Sequence, residues 1–419
     1  MTTGKQELTR PGSAAEQVAA PVARPHTEPA QSRVLRRILS LDDFEGAARR
    51  VIPRPIFGYV RGGSETDASW RANRAVWDEI AFLPRTLVDT TGRTHKTTLF
   101  GRTYDAPFGI APMGGTAMAA YQGDLALARG AAAANIPMIL SGASLTPLER
   151  VREAGPTAWF QAYLPGETGR ITQLVERVAR AGYDTFVLTV DVQVSANREN
   201  NVRSGFHVPL RPTLRLAFES AIRPRWLFGM FLRTLWLHGM PHFENMGRRV
   251  PLISRTDRDV GGRDKLSWTH VELIRRLWKG RLVLKGILHE DDARIARESG
   301  VDGIIVSNHG GRQLDGAVAP LRVLPGVVAQ AGGMTVMMDS GVRRGTDVLK
   351  ALALGAQFVF LGRPFFYAAA IAGDSGVGHA VKLLREEIDR DMALLGIKTL
   401  AEMRRELLAR ARGAEFLGK

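Results

Sequence analysis

Short runs of β-branched and apolar residues recur along this chain, each closed by a glycine, a proline or a polar side chain. They are Phe108 to Ala111, Met138 to Ser141, Ala158 to Gln161, Phe186 to Asp191, Leu282 to Lys285, Gly303 to Ser307, Thr335 to Asp339 and Phe358 to Gly362. Runs that are apolar at consecutive positions suit strands buried on both faces. Between most of them apolar residues return every three or four positions, which predicts helices over Asp124 to Asn135, Gly169 to Gly182, Thr269 to Lys279, Glu290 to Gly300 and Gly345 to Gly355. Eight strands alternating with helices predict an α/β fold of the TIM (β/α)8 barrel type rather than an open doubly wound sheet.

Two stretches break the alternation. Residues 1–37 mix Ala, Pro, Ser, Thr and charges without an apolar period, so they are expected to form a disordered tail. Residues 38–419 then form the barrel, opening in an N-terminal helical extension. The second stretch is a long insertion after the fourth strand, 192–267, in which Trp226, Phe228, Phe231 and Trp236 are interleaved with Arg211, Arg215, Arg223, Arg225 and Arg233. Aromatic and leucine side chains among arginines suit a segment that beds into lipid headgroups, and a lid or a subunit contact uses the same composition. No uncharged apolar run is long enough to span a bilayer. Glu16, Gln17 and Pro21 interrupt the stretch from Ala14 to Ala23 that a secretory signal would need.

Composition narrows the chemistry. The 419 residues include no cysteine, which removes disulfides, thiolate metal sites, iron–sulfur clusters and cysteine nucleophiles, and no metal is expected. The net charge of +15, from 57 basic and 42 acidic residues, would suit nucleic acid, an anionic membrane or anionic substrates. Much of the excess arginine lies in the tail, in the insertion and near two glycine-arginine loops, and no nucleic-acid-binding motif accompanies it, so nucleic acid is not expected.

If the barrel is right, the strand C-termini share one mouth, where such folds keep their chemistry. Ser141, Gln161, Thr189 with Asp191, Lys285, Ser307 with His309 and Arg312, Asp339, and Gly362 with Arg363 end successive strands. A histidine can accept a proton near neutral pH, and an arginine fork can hold a carboxylate in two parallel hydrogen bonds. Taken singly, His309 and Arg312 could equally cap a turn, and Lys285 could pair with a core carboxylate. The last two strands close in Asp339-Ser-Gly-Val-Arg-Arg-Gly and Leu361-Gly-Arg, the two places where barrels commonly bind phosphate. Without a Gly-x-Gly-x-x-Gly fingerprint, a mononucleotide is expected rather than a dinucleotide.

Ser307-Asn-His-Gly-Gly-Arg-Gln-Leu-Asp315, Asp339-Ser-Gly-Val-Arg-Arg-Gly-Thr-Asp-Val348, Lys350-Ala-Leu-Ala-Leu-Gly-Ala356 and Leu284-Lys285-Gly286 resemble the FMN-dependent L-2-hydroxy acid dehydrogenase and oxidase family. The resemblance runs from about Leu39 to Leu408. Gly123-Asp-Leu-Ala-Leu-Ala-Arg129, Pro224-Arg-Trp226 and His238-Gly-Met-Pro241 place the chain nearest the membrane-associated (S)-mandelate and L-lactate dehydrogenases. It implies that His309 takes a proton from substrate C2 or from the hydroxyl, depending on whether a carbanion or a hydride is transferred. Asp191 would orient the imidazole, Arg312 and Arg198 would bind the substrate carboxylate, and Tyr59 and Tyr163 would bond the carboxylate and hydroxyl. For FMN it implies Lys285 beside the ring, Ser141, Gln161, Thr189 and Ser307 about the ring edge, and Ala111, Pro112, Met113 and Gly114 against its face. Asp339 would meet the ribityl chain, with Gly341, Arg343, Gly362 and Arg363 at the phosphate.

The resemblance also implies a homotetramer and a peripheral site on the cytoplasmic face of the inner membrane; if the insertion docks on lipid, membrane quinone is the expected electron acceptor, and if it is only a lid, oxygen takes that place. The chain departs from relatives at Ala143, where those acting on very small hydroxy acids can carry a bulky aromatic. A larger, aromatic (S)-2-hydroxy acid such as mandelate is therefore expected. Gly114 stands where several relatives have alanine, and Ser195-Ala-Asn-Arg198 and Met113 also differ from the mandelate pattern. The rival readings are a soluble oxidase using oxygen, an L-lactate dehydrogenase, and a cationic binding protein built on a barrel.

Overall fold

The computed structural model describes residues 1–2, 33–247, 249–254 and 261–411. Eight parallel strands form one sheet: β1 (Phe108–Ile110), β2 (Ile139–Ser141), β3 (Trp159–Ala162), β4 (Thr185–Thr189), β5 (Arg281–Ile287), β6 (Gly303–Val306), β7 (Thr335–Met338) and β8 (Phe358–Leu361). Neighbours in space are neighbours in sequence, β8 lies beside β1, and a bridge between Ile110 and Met138 closes β1 onto β2. The sheet is thus a closed (β/α)8 barrel, and every predicted strand lies within two residues of an observed one.

The consecutive apolar pattern has a direct cause. Alternate strand residues point to opposite faces, and both faces are covered. Ile139, Trp159, Val187, Val283, Ile305, Met337, Phe358 and Phe360 pack together inside the barrel, and their neighbours Leu140, Phe160, Phe186, Leu188, Leu282, Leu284, Ile304 and Val306 pack against the helices. A hairpin, Thr97–Leu99 with Arg102–Tyr104, adds Leu99 and Tyr104 to the interior cluster, and Phe100 would be met by a side chain at Gly303, where β6 begins. The hairpin therefore plugs the N-terminal end of the strands and leaves the C-terminal end for chemistry.

Outside the barrel the structure adds helices that the periodicity missed, Leu148–Ala154 after β2 and Pro320–Gln330 after β6. The first is only seven residues long and the second carries Pro325 in its interior, which blurs the apolar repeat. After β8, Arg363–Leu395 is two helices joined at Ala372 and Gly373, whose backbone is not helical. Helices Asp43–Val51, Arg54–Arg61 and Ala68–Ala75 form the expected N-terminal extension. Leu35 and Ile38 are already buried in the core, so the compact body starts a few residues before the boundary expected at 37. The tail over 3–32 lies outside the described residues.

The insertion differs from expectation at two aromatics. Helical backbone over Pro224–His238 sends Trp226 and Met230 inward, while Phe228, Leu232 and Trp236 face out. The Trp226 indole donates to the Met118 carbonyl at 2.9 Å and stacks on Phe231 at 5.3 Å between ring centres. A buried indole N–H needs such a partner, and the core supplies it. Trp226 and Phe231 are therefore anchors of the insertion rather than surface groups. Leu214, Phe218, Ile222, Phe228, Leu232, Trp236 and Leu237 remain exposed. Among the described residues no helix is long and apolar enough to cross a membrane.

Candidate active site

A cavity of about 630 Å³ opens at the C-terminal ends of the strands. Its walls include Tyr59, Ala111, Pro112, Met113, Gly114, Tyr163, Arg198, Lys285, His309, Arg312, Asp339, Gly341, Arg343, Gly362 and Arg363, so one opening gathers residues spread over three hundred positions. Asp191, Thr189 and Ser307 line an adjoining cavity of about 440 Å³ that shares Tyr163, Val192, Arg263 and Gln313 with the first. Ser141 and Gln161 line neither. They are buried at the ends of β2 and β3, with the Ser141 hydroxyl donating to Gln161 Oε1 at 3.1 Å.

His309 stands just past β6 with a left-handed backbone, φ +58°, and Gly310 and Gly311 continue that conformation. The turn is pinned on three sides. The His309 amide donates to Ser307 Oγ at 3.0 Å, the Gly310 amide to Ser340 Oγ at 3.0 Å, and the Gly311 amide to Asn308 Oδ1 at 3.1 Å. The imidazole Nδ1 lies 2.9 Å from Asp191 Oδ1, and its Nε2 lies 3.4 Å from the Tyr163 hydroxyl. Burial lowers the histidine pKa from its ordinary value, and the pull of Asp191 in the other direction does not cancel it. Burial acts to raise Asp191, yet the His309 charge, its hydrogen bond and Lys285 together hold that carboxyl below the usual range. The resting pair is a neutral imidazole oriented by a carboxylate, the arrangement of a general base.

Cations crowd the rest of the cavity. The Lys285 ammonium donates to Ser307 Oγ at 2.9 Å and pairs with Asp339 at 3.0 Å, which outweighs burial and keeps it charged. Arg312 Nη1 donates to the carbonyls of Tyr59 at 2.6 Å and Gly62 at 2.8 Å, and its guanidinium lies 4.8 Å from the Tyr59 ring centre. Arg363 donates to the carbonyls of Val60, Gly310 and Gly62. Both arginines thus gather at the C-terminal end of helix Arg54–Arg61, where carbonyls lack helical partners and the helix dipole is negative. Burial and the neighbouring Arg198 bring Arg312 down to about 10, and burial with Arg312 brings Arg363 down to about 9. Arg198 donates to the Arg312 carbonyl and to Gln313 Oε1. Buried arginines that depress one another suit anionic ligands.

The cavity also fits FMN. Thr189 Oγ1, at the adjoining cavity, and Gln161 Nε2, behind it at the end of the neighbouring strand β3, are buried without a protein partner, as hydrogen-bonding groups reserved for a polar ring edge would be. Gly341, at φ +83°, has no room for a side chain, since a Cβ would meet the Asn73 carbonyl at 2.0 Å. Arg343 and Arg363 line the same cavity as Gly341, so glycine backbone and guanidinium groups of the kind that bind a phosphate lie together there.

Sequence reasoning passed over several supports. Asn73 and Asn308 exchange two amide hydrogen bonds of 2.8 Å each, tying the extension to the His309 turn. Gln313 bridges Arg198 and the Asp191 carbonyl, and Phe206, from the insertion, stacks on Tyr59 at 4.3 Å. Asn308 and Gln313 flank His309 in one short motif, so their neighbourhood was visible. Phe206 carried no periodic signal.

The model of the FMN-dependent dehydrogenase family matches residues 48–410, nearly all of the barrel with its extension. The chain belongs to the FMN-dependent 2-hydroxy acid dehydrogenases. FMN is accordingly the cofactor of this dehydrogenase, and its reaction is the oxidation of a 2-hydroxy acid. An L-lactate dehydrogenase of Caulobacter vibrioides is 37% identical over 89% of this chain and 98% of its own length. One of Alcaligenes faecalis is also 37% identical, over 89% and 99%. Among solved structures, a monotopic membrane protein (S)-mandelate dehydrogenase superposes with a TM-score of 0.82 at 33% identity, covering 89% of this chain and all of that one. A mandelate oxidase bound to benzoyl-formic acid gives 0.74 at 36% identity, covering 88% and 97%. The dehydrogenase thus has lactate enzymes among its sequence relatives and mandelate enzymes among its structural neighbours.

Proposed function

We propose that this dehydrogenase oxidises an (S)-2-hydroxy acid with a large, aromatic side chain, mandelate or a near analogue, to the 2-oxo acid and passes the electrons to membrane quinone. The observation that carries the substrate reading is the wall formed by Gly114 and Ala143. Both line the cavity, and a Cβ at Gly114 would lie 3.0 Å from the Ala143 methyl, so two small residues in contact leave the neighbouring volume to the substrate. The names of the sequence relatives favour a second reading, L-lactate, which the same cavity admits.

In this reading Arg312 and Arg198 bind the substrate carboxylate, where a planar fork outperforms an ammonium. Tyr59 and Tyr163 hydrogen-bond the carboxylate and hydroxyl, with Tyr163 kept protonated because burial raises its pKa. His309 Nε2 accepts a proton from the substrate, and Asp191 stabilises the imidazolium that results. Bound FMN would supply a two-electron acceptor. Lys285 would hold positive charge beside its ring, Ser141, Gln161, Thr189 and Ser307 would offer it hydrogen bonds, and Ala111, Pro112, Met113 and Gly114 would supply its wall. Asp339 would bind the ribityl chain, and Gly341, Arg343, Gly362 and Arg363 would hold the phosphate.

The visible spectrum under nitrogen, before and after (S)-mandelate or L-lactate, tests the substrate. Faster bleaching of the flavin band by mandelate supports the reading, and bleaching by lactate alone replaces it with the second.

His309 must be neutral to act, and its pKa is lowered, so kcat/KM should fall with pH only below the ordinary histidine value of 6.5 and be level above it. Asp191 favours the imidazolium, so Asp191→Asn should lower the plateau and also move the acid limb to lower pH. A limb that moves upward would contradict the pairing.

Membrane contact is supported by the exposed apolar side chains on helices Leu214–Ala221 and Pro224–His238. It is also supported by the solved (S)-mandelate dehydrogenase being described as monotopic. Arg225 donates to the Ile371 carbonyl and Arg233 lies over the Tyr121 ring at 3.9 Å, while both residues stay exposed beside these apolar side chains. Replacing Phe228 and Trp236 by serine should release the enzyme from anionic lipid vesicles while flavin reduction by substrate stays intact; co-sedimentation unchanged by the replacement would remove these side chains as the lipid contact, and a wild-type enzyme that does not co-sediment would favour the soluble oxidase. The homotetramer and the cytoplasmic face of the inner membrane rest on the family resemblance.

A further inference from the structure

Asp124 is the one charged side chain among the residues buried in helix Gly123–Ala133, in a run that otherwise reads Leu125, Ala126, Leu127 and Ala128. Its Oδ2 accepts from Ser144 Oγ at 2.7 Å and from Thr146 Oγ1 at 3.0 Å. Its Oδ1 is buried without a hydrogen-bond partner, and the Thr116 hydroxyl donates instead to the Met113 carbonyl at 3.4 Å. Ser144 Oγ in turn accepts from the Thr146 amide at 2.9 Å. Asp124 stands in the first turn of the helix into which the loop after β1 runs, the loop that carries Met113 and Gly114, and Ser144 and Thr146 belong to the loop after β2, which carries Ala143. One carboxylate therefore ties the second loop to the helix that anchors the first, and the facing residues of the two loops, Gly114 and Ala143, are in near contact on the cavity wall.

We propose that Asp124 is a positioning residue that sets the spacing of these two loops, and through it the width of the substrate cavity. It touches neither the cavity nor the reacting atoms. Hydrocarbon in its place would fill the volume without fixing the loop, because packing is non-directional whereas two hydroxyls converging on one carboxylate oxygen fix both distance and angle. The insertion reinforces the clasp from outside. Asn245 donates to the Thr146 carbonyl and accepts from the Leu148 amide, both at 2.9 Å, and Trp226 holds the Met118 carbonyl two residues beyond Thr116.

The proposal rests on the reading that Ala143 borders the substrate. Its test is kcat and KM of FMN-loaded Asp124→Asn, Asp124→Ala and Thr146→Ala enzymes on (S)-mandelate and L-lactate, beside FMN content and melting temperature. Asp124→Ala should change the mandelate-to-lactate ratio of kcat/KM by about tenfold, the worth of one buried hydrogen bond to a charged group, mainly through KM. Asp124→Asn, whose amide oxygen can accept the same two bonds, and Thr146→Ala, which removes one of them, should move it in the same direction by less, with FMN and melting temperature near wild type. Ratios within about twofold in all three variants overturn the clasp, as does an equal loss on both acids that tracks melting temperature. If the wild-type enzyme oxidises neither acid, the substrate reading fails separately. The same ratio, taken between its best large and best small 2-hydroxy acid, then decides the clasp.

Discussion

His309→Asn should lower kcat by roughly 10²- to 10⁴-fold, the range by which a positioned general base accelerates proton transfer, while KM and bound FMN change little. The asparagine suits the left-handed backbone at this position nearly as well as histidine does, so the loss would report chemistry rather than a broken turn. Stopped-flow reduction of the flavin by saturating substrate is the measurement, because it isolates the step before the electron acceptor enters. Reduction within about tenfold of wild type would remove His309 from the role of base, since even the low end of that range is larger.

Replacing Arg312 by methionine should lower kcat/KM on the order of 10²- to 10³-fold, as expected when one partner of a buried charge pair is truncated. Most of the loss should appear as weaker substrate binding in the reductive half-reaction. Arg312→Lys should recover little, because an ammonium cannot reproduce two parallel bonds to a carboxylate. The variant also gives up the bonds from Nη1 to the Tyr59 and Gly62 carbonyls, so its melting temperature must be followed. A kcat/KM within about tenfold of wild type, in a variant that melts normally, would move carboxylate binding to Arg198 alone.

The barrel was legible because its strands are buried on both faces. A consecutive apolar run such as Ile304-Ile305-Val306 has no other economical use in a short segment, and the polar residue that ends each run marks the mouth. His309, Arg312 and Lys285 could be found because each stands within six residues of such a strand end. Tyr59 could not be found that way. It reaches the cavity from helix Arg54–Arg61, more than forty residues before β1, and only the family resemblance pointed to it. Trp226 and Phe231 show the opposite failure. Composition marks the insertion as amphipathic, but which aromatics turn inward depends on the register of the helix against Met118, a contact more than a hundred residues distant in sequence. Asp124 was visible as a residue and invisible as a clasp, since its partners Ser144 and Thr146 lie on the loop after the next strand, some twenty residues away, at no spacing that a periodic pattern marks.

The left-handed turn at His309, Gly310 and Gly311 carries a consequence for how this enzyme tolerates change. An L-residue in that conformation costs about 1–2 kcal/mol, and the hydroxyls of Ser307 and Ser340 hold it there. Glycine at 309 would relieve that strain but leave the Asp191 carboxylate buried without its 2.9 Å partner, which costs more. A lineage released from catalysis would therefore keep His309 and Asp191 together or lose them together, because neither is tolerable without the other.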